Sequence, residues 1–452
     1  MNNVWKGSLT IALVLVLGTT EVGRADCTCG ACSLASSDLC GSGCGNSCDN
    51  ACDNGCGNGS CFIYKDACSS LEATDNGYLW TLGQGRCAKR FRFDGWVEAG
   101  IMTNSHGTTR SDGGANYGGN GPMHVTGNRR NDVVLQQIYM YGEKELDASN
   151  GFDWGFRTDF LYGNDAEAAQ SVGDRSFDYD WGSNRHGYGL SCYQLMGSVG
   201  YKNLTVRGGK FITPIGWEGV AAKDNFFYSH SYCYWIEPST HTGILGDFAV
   251  NDRLTVTGGW TTGINNGFKN RFDDSGYIAG LSYALTSKTN LIYYVTQGDT
   301  NNGQYNTGEW VFGIPDVDKS KYYIQSFVFE WKPTNCFTYV MQYNLRNDSC
   351  HFNNGAPIER TSAYGINNHF LYQLTNKVGV GARVEWLRDN GTNIINDPAN
   401  YFGITYGLNW NPNRHWSVRP EVRFDWADNG KPFADGEKSS QATGGIGMLY
   451  IF

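Results

Sequence analysis

Trp416-Ser417-Val418-Arg419-Pro420-Glu421-Val422-Arg423-Phe424-Asp425-Trp426 alternates strictly between two kinds of side chain. Trp416, Val418, Pro420, Val422, Phe424 and Trp426 share one parity; Ser417, Arg419, Glu421, Arg423 and Asp425 share the other. A period of two places each set on its own face of an extended strand, whereas a helix would scatter both sets around its circumference. Pro420 removes one ladder hydrogen bond and is the only blemish.

The pattern recurs outward from this run. Residues 378–388 set Val378, Val380, Ala382, Val384 and Trp386 against Arg383, Glu385 and Leu387; 401–410 and 337–346 repeat it. Weaker segments lie at 92–102, 133–145, 151–161, 190–201, 204–211, 241–250, 254–262, 276–285, 289–297, 322–331, 362–374 and 441–452, sixteen in all. Their connections sort by parity. Short polar turns fall at 147–150, 202–203, 251–253, 286–288, 333–335, 375–377 and 411–415. Long segments fall at 103–132, 162–189, 212–240, 263–275, 298–321, 347–361, 389–400 and 427–440. Short turns on one side and long loops on the other, with an even strand number, predict an all-β, transmembrane antiparallel up-and-down barrel with periplasmic turns and extracellular loops. A propeller would show a repeat of about 40–50 residues, and none is found.

The ends agree with an exported chain. Lys6 precedes an apolar run, Leu9–Leu17, and Gly23-Arg24-Ala25 offers a small-residue cleavage site, so 1–25 is expected to be a signal peptide. No stretch reaches the ~20 apolar residues of a transmembrane helix. Aromatics make up 14% and charged residues only 17%; both suit a wall whose alternate residues meet lipid. Losing Lys6, Arg24 and Glu21 would take the formal charge from −9 to −10, which argues against a nucleic-acid partner. At the other end Ile446, Met448, Tyr450 and the terminal Phe452 alternate.

Phe211-Ile212-Thr213-Pro214-Ile215-Gly216, running into Asn225-Phe226-Phe227-Tyr228-Ser229-His230-Ser231-Tyr232, then Pro238, His241-Thr242-Gly243 and Gly258-Gly259-Trp260, resembles the β-barrel porin-2 (OmpL-like) family. Gly155-Phe156-Arg157-Thr158-Asp159 and the segment near 93–100 are similar to it too. The resemblance covers roughly 90–452 and implies an outer-membrane, porin-like barrel.

About sixteen strands would leave an aqueous lumen, so passive diffusion of small hydrophilic solutes or ions is the expected function. Trp331, Phe337, Trp410 and Trp416 would form the girdle at the short turns, and Trp260, Trp386 and Trp426 the opposite one. Alternation puts Arg92, Asp94, Glu98, Arg157, Asp159, Arg207, Glu330, Arg346, Arg383, Glu385, Arg419, Glu421, Arg423 and Asp425 on the lumen wall, where mixed charge predicts a weak cation preference. The segment 212–240 stands apart: Trp217, Phe226, Phe227, Tyr228, Tyr232, Tyr234 and Trp235 accompany Glu218, Lys223, Asp224, His230 and Glu237. Seven aromatics have no place on an exposed loop unless they pack. Folding into the barrel as a constriction is one reading; packing over the rim or on a neighbouring subunit is the other.

Residues 26–90 form a cysteine-rich extension, expected in the periplasm. Cys27, Cys29, Cys32, Cys40, Cys44, Cys48, Cys52, Cys56, Cys61, Cys68 and Cys87 read first as disulfide candidates in an exported chain, with metal-thiolate binding and cross-links to envelope proteins as alternatives. Cys192 and Cys233 both fall on the outer side and are expected to be able to pair; Cys336 lies in a short turn, where it could meet the N-terminal cluster. Two other functional classes compete with the channel. An anchoring barrel would tether the envelope through its cysteines. An enzyme would need a nucleophile set, but no G-x-S-x-G occurs and the eight His are scattered. No cofactor or metal is expected.

Overall fold

The computed structural model describes residues 91–106, 131–171, 177–178, 181–182, 187–268, 275–300, 317–352, 359–391, 398–434 and 436–452. The strands are β1 Phe91–Asn104, β2 Val133–Lys144, β3 Phe152–Gly163, β4 Gly189–Tyr201, β5 Leu204–Ile212, β6 Thr240–Asn251, β7 Leu254–Thr261 and β8 Gly276–Thr286. They continue as β9 Thr289–Thr300, β10 Val317–Thr334, β11 Phe337–Phe352, β12 Glu359–Gln373, β13 Val378–Asp389, β14 Asn400–Asn413, β15 Trp416–Ala427 and β16 Ser440–Ile451. Among the described residues two single-turn α-helices interrupt them, α1 (Ala166–Ala169) and α2 (Tyr232–Trp235), with a 3-10 turn at Ala222–Asp224.

Each strand pairs antiparallel with its sequence neighbours, and β1 pairs β16 from Trp96↔Ile451 to Asn104↔Thr443, closing the barrel. Closure leaves no edge, so every wall peptide can bond within the ring and lipid meets only side chains. The β15 alternation is realised as read: Val422, Phe424 and Trp426 are exposed, while Arg419, Glu421, Arg423 and Asp425 are buried inside. The cost of Pro420 is visible on one side only. The β14–β15 ladder passes from Gly407↔Glu421 to Trp410↔Val418, with the gap at the residue that lacks an N–H.

Aromatic residues band the outer surface as expected. At the short turns Trp331, Trp410 and Trp416 are exposed, Trp331 meets Phe337 edge-on at 6.4 Å, and the adjacent Phe329 meets Tyr339 at 6.1 Å. At the long-loop ends Phe402 stacks on Trp426 at 5.4 Å and Tyr364 meets Trp386 at 5.7 Å. The expected spans 322–331, 337–346 and 362–374 are longer in the structure, because β10–β11 pairing runs up to Val317↔Phe352. Apolar alternation ends where lipid ends, while the backbone ladder continues above it.

The core lies inside the ring. On one flank Trp96, Tyr139, Leu161 and Tyr193 of the wall surround Ala166 and Ala169 of α1 and Val220–Ala222 of the β5–β6 connection. On another, Ile278, Ile292, Ile324, Val328 and Val340 face inward around Ile215.

Candidate functional site: the barrel interior

The β5–β6 connection determines what the interior can do. It leaves the wall at Thr213, whose hydroxyl meets His241 Nε2 at 3.0 Å, and returns at Ser239, whose carbonyl accepts Thr213 N–H at 3.0 Å. Between these points it crosses the lumen. Trp217 N–H donates to Gln342 of β11 at 3.0 Å, and Ala222 N–H to Gln137 of β2 at 3.1 Å. Tyr228 N–H donates to Glu421 of β15 at 2.8 Å, and Tyr232 N–H to Glu385 of β13 at 2.6 Å. β13 and β15 lie across the ring from β5 and β6, with β2 on one flank and β11 on the other. The segment therefore runs inside the barrel.

Missing side chains on the wall make room for its rings. A Cβ at Gly381 would lie 2.6 Å from Phe226, one at Gly407 2.9 Å from Phe227, and one at Gly447 2.6 Å from Tyr228. These inward glycines of β13, β14 and β16 are sockets. Sequence reasoning missed them; the signal was Gly at inward positions in otherwise regular strands.

Charge completes the docking. Arg383 is fully buried, with Nε on Glu385 at 2.6 Å, Nη1 on Glu218 at 2.9 Å and on the Ser229 carbonyl at 2.8 Å, and Nη2 on the His230 carbonyl at 3.1 Å. Arg423 Nε binds Asp425 at 2.8 Å and its Nη1 binds the His230 carbonyl at 2.8 Å. Arg419 donates to the carbonyls of Ala222 and Asn225 at 2.8 and 3.0 Å and pairs with Glu98. The wall carboxylates take backbone N–H groups and the wall arginines take carbonyls, so an irregular chain is satisfied where no sheet can serve it. The Tyr232 hydroxyl adds a bond to Asp425 at 2.7 Å.

The remaining sequence-named residues fall into smaller sets. Arg157 joins Asp159 at 2.8 Å and Glu143 at 2.9 Å under Tyr141. Arg207 pairs with Asp247, Glu330 with Lys332, and Arg346 with Asp348 at 2.7 Å. Lys223 and Asp224 pair at 2.9 Å, and Trp235 meets Tyr234 edge-on at 5.4 Å. A buried Lys210, held by Ser171 at 2.8 Å and Asp178 at 3.0 Å, was not foreseen, since its partners come from a long loop without periodicity.

Within the inserted segment the titrating groups diverge. Glu218 bears the cost of burial, but the Arg383 guanidinium and the nearby His369 and His230 hold its carboxyl down to about 2. Burial pushes the His230 imidazole down to about 4 against the pull of Glu218. Burial also pushes the Glu237 carboxyl up to about 8.

The cysteine expectation needs correcting. Cys192 and Cys233 do not pair; both are free and buried. Cys192 belongs to β4, whereas Cys233 rides on α2, whose Cys233 carbonyl accepts Asn344 Nδ2 of β11 at 3.1 Å. The outer loop that was to bring them together is an inner segment docked across the lumen. Cys27, Cys29, Cys32, Cys40, Cys44, Cys48, Cys52, Cys56, Cys61, Cys68 and Cys87 lie outside the described residues.

Residues 90–452 match the family described as "Putative beta-barrel porin-2, OmpL-like". The chain belongs to this family. It is a porin-like channel of the outer membrane. The fold is similar to the outer membrane channel DcaP of Acinetobacter baumannii, at 9% identity and a TM-score of 0.52, covering 80% of this chain and 97% of that one. It is also similar to an anion-selective porin from Comamonas acidovorans, at 11% identity and a TM-score of 0.51, covering 80% and 99%. A search of curated proteins finds no match.

Proposed function

We propose that the chain passes small hydrophilic solutes or ions by passive diffusion, with residues 213–239 as the constriction. The observation that carries this is the crossing of the lumen by that segment, clamped to β11, β13 and β15. The wall that solutes pass then comprises the sides the segment leaves uncovered. It includes the Arg207–Asp247, Glu330–Lys332 and Arg346–Asp348 pairs, while Arg157 and the fully buried Asp159 brace that wall from within. Arg383, Glu385, Arg419, Glu421, Arg423 and Asp425 shape the path indirectly, by holding the segment. An overall acidic chain favours a weak cation preference. Export on a cleaved signal, residues 1–25, and a periplasmic cysteine-rich stretch, 26–90, belong to the same reading; lipid faces the apolar wall.

Planar-bilayer recordings test it. The mature chain should form discrete channels, and deleting 217–235 should raise single-channel conductance severalfold. A deletion that conducts like the parent removes the segment from the pathway.

A further inference from the structure

The two ends of the inserted segment meet at one neck, and the neck carries an acid. Glu237 is buried there, two residues before Ser239. Its Oε1 accepts Asn344 Nδ2 at 2.6 Å and also Gln342 Nε2, both from β11. Its Oε2 has no hydrogen-bond partner. Gly216, at φ +91, presses on the same carboxyl from the other end of the segment, so that any Cβ there would overlap it. Gly216 is thus required twice, for its left-handed backbone and for the space.

Among the described residues no cation pairs with this carboxyl. Within the segment the facing titratable groups are Glu218, a like charge, the Cys233 thiol and the Tyr234 phenol. On β11 Arg346 is engaged by Asp348 at 2.7 Å. On β12 His369 lies against Trp217, 4.7 Å between ring centres. Arg383 is taken by Glu218, Glu385 and two carbonyls. An ionised Glu237 would be a buried charge beside another of the same sign, which low-polarity surroundings disfavour. The two amide donors favour the carboxylate, but burial, with the like charge of Glu218 beside it, outweighs them and keeps the docked acid neutral.

We propose that Glu237 is a proton-operated latch: neutral, it clasps the neck of the segment onto β11, and on losing its proton to solvent it lets the segment loosen and the channel widen. The latch rests on the reading of 213–239 as the constriction. Its carboxyl titrates near 8 when docked and near the ordinary 4.5 when released. The docked form therefore binds more protons between those values, and docking weakens as pH rises through that window and levels above it. His230 and Glu218 act oppositely. Their contributions are lost only as pH falls, through about 4 and about 2.

The test is single-channel conductance of the mature protein from pH 5 to pH 9, for the parent, Glu237→Gln and the 217–235 deletion. The parent should rise at least twofold across the range, and Glu237→Gln should stay at the low level throughout. Gly216→Ala, which displaces the carboxyl, should conduct at the high level already at pH 5, and it serves also if Glu237→Gln fails to assemble. A flat parent, an undiminished rise in Glu237→Gln, or a Gly216→Ala channel at the low level at pH 5 would overturn the latch. A deletion matching the parent at every pH would overturn the constriction instead.

Discussion

β10 and β15 present the same outward face and opposite inward ones. Outside, both show aromatic and aliphatic residues, Phe327, Phe329 and Trp331 on one, Val422, Phe424 and Trp426 on the other. Inside, β10 offers Tyr322, Ile324 and Val328, whereas β15 offers Arg419, Glu421, Arg423 and Asp425. Lipid imposes one chemistry on the outer face everywhere. The inner face answers to whatever part of the chain docks on it: Ile215 and Trp217 on the β10 side, a run of bare peptide groups from Ala222 to Tyr232 on the β15 side. The segment is held between an apolar cheek and an ionic one.

The two cheeks should break differently. Arg383→Ala removes the cation that pairs with buried Glu218 and the donor to the Ser229 carbonyl, while Glu385 and the His230 carbonyl keep Arg423. Removing one partner of a buried pair costs about 3–5 kcal/mol, so the urea midpoint of the folded barrel should fall and open-channel noise should rise. Ile324→Ala on the other cheek removes only packing. It should cost about 2–5 kcal/mol, depending on how far the site collapses, with little change in ion selectivity. If Ile324→Ala shifted the reversal potential more than Arg383→Ala, the assignment of the two cheeks would be wrong.

The wall was legible because lipid enforces a period of two at every outward position, and the loops sort by parity. Val422, Phe424 and Trp426 carry that signal residue by residue. The ends of β10–β12 were less legible, since pairing continues beyond the apolar alternation that marks them. For the interior, the sequence showed that 212–240 must pack somewhere, from its aromatics, but not on what. The sockets at Gly381, Gly407 and Gly447 and the partners of Arg383 depend on strands more than a hundred residues away, which no local pattern encodes. The failed pairing of Cys192 with Cys233 has a related cause: Cys192 sits on β4, and the segment that carries Cys233 turned inward to dock on β11.

The central claim is that a closed ring of strands, apolar outward and docked inward, crosses the bilayer. Single spin labels placed in turn at positions 416 to 427, in the protein reconstituted into vesicles, test it most directly. Oxygen accessibility should alternate with a period of two, high at 422, 424 and 426 and low at 421, 423 and 425. A flat profile, or one that repeats every 3.6 residues, would contradict it.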